Sequence, residues 1–221
     1  MGKRKGQILE FFGFVCVFLA VLTLCIAVTI NFRPLYVVDI DYLNILDYTT
    51  IGKKELLANF DQLMGYLNNP FVHELTMQDF PVSESGAFHF YEVKRLFMLN
   101  YGVLVVTIIP AGFFIWHLKK KGWLWRLMRP CQVGLFLPIV LLILMAIGFD
   151  QFFVQFHSLF FNNDAWLFDP ATDPVINVLP ETFFMHCFLL FFILLEGLLF
   201  IGFWVGRRSL RKPKELNELY K

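Results

Sequence analysis

Four long apolar segments constrain this chain more than any other feature of its sequence. They run from about residue 8 to 32, 96 to 118, 131 to 153 and 183 to 206. A helix that crosses a bilayer needs ~20 apolar residues with few charges, so each segment predicts a spanning helix rather than a short buried strand. Hydrophobic residues make up 57% of the 221 residues, which is more than a soluble domain of this length can bury. The expected fold is an all-α membrane protein, with residues 1–221 forming a single integral membrane domain.

The cations set the expected orientation of these helices. Of the 19 Lys and Arg residues, 14 lie before the first segment, between the second and third, or after the fourth. Connections rich in Lys and Arg remain in the cytoplasm. The sequence therefore predicts a multi-pass protein of the cell membrane with both termini cytoplasmic. Two acidic connections, residues 33–95 and 154–182, are expected outside. The net charge of +1 is far from the strong positive balance of nucleic-acid-binding proteins, so no nucleic-acid partner is expected.

The first outer connection contains apolar residues at three- and four-residue spacing. They are Leu56, Leu57, Phe60, Leu63, Met64 and Leu67. This period predicts an amphipathic helix lying in the membrane interface. The alternative is a helix that covers the bundle through protein contacts alone.

The positions of the cysteines and the absence of known catalytic motifs argue against several classes of site. The four Cys residues fall in or at the ends of apolar segments, and none forms a CxxC pair. A disulfide framework and a zinc site are therefore not expected. The sequence also lacks GxSxG, HExxH and Walker motifs. We expect neither a metal nor a cofactor.

Two of the five histidines are the strongest candidates for chemistry. His89 and His157 each lie near the outer end of an apolar segment, and residues that are distant in sequence can converge at such a place. Glu92 follows His89 by three residues and falls on the same helical face, where it can orient the imidazole. Ser158 adjoins His157, but adjacent helical side chains point about 100° apart, so a Ser-His hydrolase is weakly supported.

The other histidines and the acids of the apolar segments have simpler interpretations. His73 is expected in solvent, and His117 at the cytoplasmic end of the second segment. For His186, inside the fourth segment, a structural role is favoured over a ligand role. An acid within a membrane segment is a functional candidate by default. A packing role is nevertheless favoured for Glu196, while structural and functional roles stay open for Asp150.

The second outer connection carries the most specific pattern. One His, an Asn, a Trp and two Asp residues precede a Leu-Pro pair that opens the last segment. The pattern reads His157…Asn162…Trp166…Asp169-Pro170…Asp173…Leu179-Pro180…Phe183-Phe184. Together with the four segments, the long first connection and the sequence around His89, it resembles the lipoprotein intramolecular transacylase family of low-GC Gram-positive bacteria.

The resemblance implies a reaction on diacylglyceryl-modified lipoproteins at the outer leaflet. An acyl chain would move from the glyceryl sn-2 oxygen to the α-amino group of the N-terminal Cys, giving the lyso form. His89 and His157 would handle the protons, and no enzyme nucleophile is needed because amine and ester both belong to the substrate.

The same resemblance suggests supporting residues and leaves alternatives open. Asn162, Trp166, Asp169 and Asp173 would bind substrate or support the histidines, and membrane lipid would surround the site. For the two Asp-Pro pairs, loop turns and helix caps are the alternative. The competing functions are a non-enzymatic membrane protein that binds lipid or protein, and a membrane-embedded metallohydrolase.

Overall fold

A computed structural model describes the backbone of residues 2–219 and the side chains of residues 6–210. Within this part of the chain the regular structure is entirely helical, with three short 3-10 turns between the α-helices. The α-helices are, in chain order, α1 (Gly2–Ile30), α2 (Arg33–Tyr42), α3 (Lys53–Asn68), α4 (Glu84–Lys120), α5 (Met128–Gly134), α6 (Phe136–Ile147), α7 (Phe149–Phe160) and α8 (Glu181–Leu219).

The prediction of four spanning helices is confirmed. Among the described residues, four helical stretches are long and apolar enough to cross a membrane. They are Gly6–Ile30, Glu84–Lys120, Leu124–Ile147 and Glu181–Leu210. Membrane solvation explains why many large apolar side chains on these stretches are exposed, because lipid rather than protein covers them.

The second and third segments differ from the predicted helices at their outer ends. Helix α4 begins at Glu84 rather than near residue 96, so His89 belongs to the same continuous helix as the span. The predicted helix over residues 131–153 was wrong in its continuity, because Gly148 has an extended backbone between α6 and α7. Glycine is a poor helix former, and Asp150 in the next turn favours a new helix start. Asp150 is exposed there.

The described chain divides into two compact units. We call residues 27–101 and 144–190 the site unit, and the remaining described residues the cation-rich unit. The cation-rich unit packs small side chains: Cys16, Ala20 and Ala111 form one buried cluster. Small residues let helices approach closely in a membrane.

The core of the site unit joins α2, α3 and the start of α8. Tyr36 on α2 is 1% exposed, and its hydroxyl donates to the carbonyl of Val178 at 2.9 Å. Leu56, Leu63 and Leu67 on α3 are buried in the same cluster. The predicted amphipathic helix is therefore present as α3, and its apolar face packs against protein. This packing supports the covering role over a position in the membrane interface.

Candidate functional site

The two candidate histidines come together inside the site unit. His89 lies on α4 and His157 on the last turn of α7, with their ring centroids 5.8 Å apart. His89 is 6% exposed and His157 is 8% exposed. Protein alone shields both imidazoles from water and lipid. Their closeness lets both rings reach a single reacting centre.

A backbone contact fixes the tautomer of His157. Its Nδ1 lies 2.8 Å from the carbonyl oxygen of Phe153, one turn earlier on α7. A carbonyl oxygen only accepts hydrogen bonds, so Nδ1 carries the proton and donates it. In the neutral ring, Nε2 is then the nitrogen with a free lone pair. His157 is thereby prepared to take a proton through Nε2.

Burial keeps the neutral form of His157 dominant. Desolvation lowers the pKa of His157 below its ordinary value, and the hydrogen bond to Phe153 offsets only part of that effect. An unperturbed imidazole titrates near pH 6.5. At neutral pH the ring is therefore a free base, as a general base requires.

His89 has an aromatic enclosure and one unsatisfied nitrogen. The ring of Phe161 lies 4.7 Å from His89 and that of Phe168 lies 5.6 Å away, both edge-on. Its Nδ1 is buried and has no hydrogen-bond partner. A buried polar atom without a partner is destabilising and asks for an explanation. A substrate oxygen or nitrogen that enters the site would supply the missing partner.

Trp166 covers the other histidine. Its indole stacks on the ring of His157 with a centroid distance of 4.5 Å and an interplanar angle of 24°. The loop that carries Trp166 is attached to α4 by Asn163, whose Nδ2 lies 3.0 and 3.1 Å from the two carboxylate oxygens of Glu92. Glu92 therefore acts on the loop that carries Trp166, rather than on His89 as the helical spacing suggested.

Sequence reasoning missed Asn163. Its Oδ1 accepts the backbone N–H of Ala165 at 3.0 Å, a side-chain turn that Asn commonly makes with the residue two positions on. The pattern Asn-x-Ala directly before Trp166 was the available signal. Its neighbour Asn162, which was predicted instead, is exposed.

Asp173 fixes the start of α4. It is 1% exposed, and its Oδ1 accepts the backbone N–H of Ser83 at 2.7 Å while Oδ2 accepts the hydroxyl of Thr172 at 2.8 Å. Burial would raise the pKa of Asp173, but the hydrogen bonds from Ser83 and Thr172 outweigh it and lower the pKa. The resulting negative charge lies at the positive end of the α4 dipole.

A glycine makes this contact between loop and helix possible. A Cβ on Gly86 would lie 2.3 Å from Oδ1 of Asp173 and 3.1 Å from the ring of Phe168. Gly86 lies three residues before His89, so the close approach brings the loop onto the face of α4 that leads to the site. Asp173 thus contributes to the position of His89 indirectly.

The side chains of Asp169 and Ser158 each form a hydrogen bond with backbone close by in sequence. Asp169 is exposed, and its Oδ1 accepts the N–H of Ala171 at 2.9 Å, which forms a loop turn. Ser158 donates its hydroxyl to the carbonyl of Val154 at 2.7 Å. It therefore makes no nucleophile–base pair with its neighbour His157.

The other three histidines and Glu196 lie in different environments. His73 and His117 are exposed. His186 donates through Nδ1 to both carboxylate oxygens of Asp39, at 2.9 and 3.0 Å. Glu196 on α8 has a buried Oε1 with no hydrogen-bond partner. Asp39 is 2% exposed, and nothing in the sequence marked it as the partner of His186.

The site combines proton-transfer groups with an apolar shell and offers little to a metal. Within the described residues, no cluster of three or more His, Cys, Asp or Glu side chains is arranged to hold a metal ion. Two imidazoles a few ångströms apart can remove a proton from one substrate atom and donate a hydrogen bond to another. The aromatic side chains around both imidazoles limit the access of water to them.

Comparison with known proteins identifies a family. The family described as lipoprotein intramolecular transacylase Lit matches residues 11–184. A search among curated proteins finds no significant match.

Solved structures give the same result over nearly the whole chain. The membrane-integral lipoprotein intramolecular transacylase Lit from Bacillus cereus is 29% identical, with a TM-score of 0.91 over 96% of this chain and 99% of that one. Two variants of the same protein are 28% identical, each with one histidine replaced. The arginine variant has a TM-score of 0.82 and covers 97% of this chain and 96% of that one. The alanine variant has a TM-score of 0.83 and covers 97% of both chains.

Proposed function

Because the chain belongs to the lipoprotein intramolecular transacylase family and is a membrane acyltransferase, we propose the reaction that it performs on its lipoprotein substrate. An acyl chain moves from the sn-2 oxygen of the diacylglyceryl group to the α-amino group of the N-terminal Cys. The product is an N-acyl, S-monoacylglyceryl lipoprotein, the lyso form. The observation that carries this proposal is a buried histidine pair whose neighbour Ser158 donates its hydroxyl to a backbone carbonyl rather than to an imidazole.

The reaction needs orientation and proton movement more than it needs a covalent intermediate. The substrate amine attacks the ester carbonyl carbon, an N–C bond forms, and the C–O bond to the glyceryl oxygen breaks. One proton leaves the nitrogen and one reaches the released oxygen, so ester and amine become amide and alcohol. Holding the amine and the ester together lowers the activation free energy by several kcal/mol, because the entropy is lost on binding rather than in the reaction.

The two histidines divide this work. His157 accepts the amine proton through Nε2, because its Nδ1 already donates to Phe153. The unpartnered Nδ1 of His89 hydrogen-bonds the ester or the leaving oxygen and stabilises the charge that develops there. His157 can return its proton to the glyceryl oxygen, which completes the balance without any other acid.

Mass spectrometry of lipoprotein N-termini tests the reaction. Cells or vesicles with the protein should yield the acyl-shifted lyso product, and those without it should retain the diacylglyceryl form. Loss of one acyl chain to water would instead indicate a hydrolase. An unchanged substrate would indicate a non-enzymatic binding protein. The two B. cereus variants, in which a histidine is replaced, direct attention to histidine substitutions as the next experiment.

We also propose that the site faces the outer leaflet of the cell membrane. The charge pattern supports this orientation, since 14 of the 19 cations lie in the connections assigned to the cytoplasm. A reporter fused after Lys221 should be active only as a cytoplasmic label. A signal from an external label at that position would contradict the topology.

A further inference from the structure

The indole of Trp166 is held over His157 by its neighbours rather than by a hydrogen bond of its own. Among the described contacts, the indole makes ring contact with His157 at 4.5 Å and no hydrogen bond. Its orientation therefore depends on the backbone of the loop directly before it. That backbone is fixed at Ala165, whose N–H donates to Oδ1 of Asn163.

Asn163 also connects this loop to the helix that carries the second histidine. Its Nδ2 contacts both oxygens of Glu92, and Glu92 lies one turn after His89 on α4. A continuous chain of contacts thus runs from α4 through Glu92, Asn163 and Ala165 to Trp166, and from there to His157. The contacts fix the position of one imidazole relative to the other.

We propose that Asn163 and Glu92 are positioning residues that hold Trp166 against His157. They thereby keep the histidine pair enclosed and fix the position of one imidazole relative to the other. They act on the reaction through Trp166 and do not contact the substrate. The effect on catalysis rests on the proposed function, whereas the effect on the enclosure of His157 does not.

Replacement of Asn163 by Ala should release the loop. We expect a fall in kcat of at least about tenfold with little change in KM, because the geometry of the reacting groups is disturbed more than substrate binding. The Trp166→Ala variant should lose a similar amount. If Asn163 acts through Trp166, the double variant should be no slower than Trp166→Ala alone. If the rate losses of the two single variants multiply in the double variant, the proposal is overturned, because Asn163 would then have an independent role.

Two replacements of Glu92 separate position from charge. Glu92→Gln keeps an amide oxygen that can accept from Nδ2 of Asn163, so it should retain most of the activity. Glu92→Ala removes that acceptor and should resemble Asn163→Ala. If Glu92→Gln is as slow as Glu92→Ala, the charge itself is required, as it would be for binding the substrate ammonium, and the positioning role is overturned.

The enclosure of His157 can be measured without any activity. Diethyl pyrocarbonate modifies accessible neutral imidazoles, and peptide mass spectrometry of the full-length protein in nanodiscs reports each histidine separately. His157 should react several-fold faster in Asn163→Ala than in the wild type. The exposed His73 should react equally in both and shows that the protein is otherwise intact. Asn162→Ala, the same replacement one residue earlier, should leave the reactivity of His157 unchanged.

These outcomes keep the positioning role and the proposed reaction apart. Faster modification of His157 in Asn163→Ala supports the positioning role even if the wild type yields no lyso product. Unchanged modification in an active enzyme overturns the positioning role and leaves the reaction in place. Equal acceleration in Asn162→Ala would show general loosening of the loop, and it too would overturn the specific role of Asn163.

Discussion

Two histidines of the site unit, His186 and His89, differ in how their ring nitrogens are hydrogen-bonded. His186 on α8 donates to both oxygens of Asp39, at 2.9 and 3.0 Å, and Asp39 is 2% exposed. The side chain of His186 is 20% exposed, whereas His89 on α4 is 6% exposed and its Nδ1 has no partner. One imidazole completes a hydrogen-bonded pair between two helices, whereas the other leaves a polar atom unsatisfied beside a second imidazole.

This is the difference expected between a histidine that stabilises the fold and one with the proposed role in the reaction. Leaving a buried polar atom unsatisfied destabilises a fold by ~1–3 kcal/mol. A protein tolerates that loss where a ligand supplies the partner during function. Burial alone therefore does not identify a catalytic histidine. The informative feature is which of its nitrogens remains available.

The largest expected effect is the loss of activity when either His89 or His157 is replaced. His157→Ala and His89→Ala should each reduce formation of the lyso product by ~10²–10⁴-fold, the usual effect of removing a general acid–base group. If both act on one tetrahedral intermediate, the double variant should be hardly slower than either single one. Quantitative mass spectrometry of the lipoprotein N-terminus measures these rates.

The matching control is His117→Ala, which should remain active because His117 is exposed and lies in the cation-rich unit. Both site variants should stay folded and inserted in the membrane. Near-normal activity in His157→Ala would contradict the proposed role of His157 as the base. Near-normal activity in His89→Ala alone would transfer the second role to another group.

At the other histidine the expected effect is on stability. Asp39→Ala removes the charged acceptor of Nδ1 of His186. Hydrogen bonds to charged groups contribute about 1.5–3 kcal/mol, so the free energy of unfolding should fall by that amount. Thermal unfolding of the detergent-solubilised protein measures this loss. Asp41→Ala, two residues later on α2, removes an exposed ion pair with Lys53 and should alter stability by less than ~1 kcal/mol. Equal effects of the two replacements would contradict the structural role of the Asp39–His186 pair.

A smaller effect concerns pH. Because burial lowers the pKa of His157, the neutral base persists in the folded enzyme below the ordinary titration range near pH 6.5. The midpoint of His157 protonation, followed through the pH dependence of its modification by diethyl pyrocarbonate, should therefore lie below about pH 6.5. In Trp166→Ala the midpoint should move upward, as water reaches the ring. A wild-type midpoint at or above that value would contradict the assignment of His157 as a buried base.

The lowered pKa of His157 also predicts the direction in which stability changes with pH. The unfolded chain takes up a proton at His157 near pH 6.5, whereas the folded protein resists it. The unfolded state then binds more protons, so the contribution of His157 to stability falls as the pH drops below about 6.5 and levels off below the folded pKa. Unfolding measured in detergent across this range should show the loss, and the His157→Ala variant should lack it.

Much of the fold could be predicted because membrane solvation leaves a strong pattern in sequence. Four apolar segments and the amphipathic period of α3 correspond to helices that the structure contains. The interruption at Gly148 escaped prediction, since apolar residues continue on both sides of it. Hydropathy reports the environment of a segment and is insensitive to one residue with extended backbone.

The sequence indicated the two histidines that lie together in the structure, but not the residues that hold them in place. His89 and His157 stood out because each lies near the outer end of an apolar segment, where residues distant in sequence can converge, and the structure brings them together. The contacts of Asn163 with Glu92 and of Asp39 with His186 span 71 and 147 residues of sequence. Such partners are chosen by tertiary packing, and an isolated Asn or Asp carries no local sign of it.

The close approach of Gly86 to Asp173 has a consequence for how related sequences can diverge. Replacing an interior helical Gly with Ala usually stabilises a helix by about 0.5–1 kcal/mol. Gly65 on α3, with no atom within 4 Å of an added Cβ, is free to make that exchange. At Gly86 the added methyl would displace the carboxylate that caps α4. Positions 86 and 173 should therefore covary among homologues, with a larger residue at 86 accepted only where 173 carries a shorter side chain.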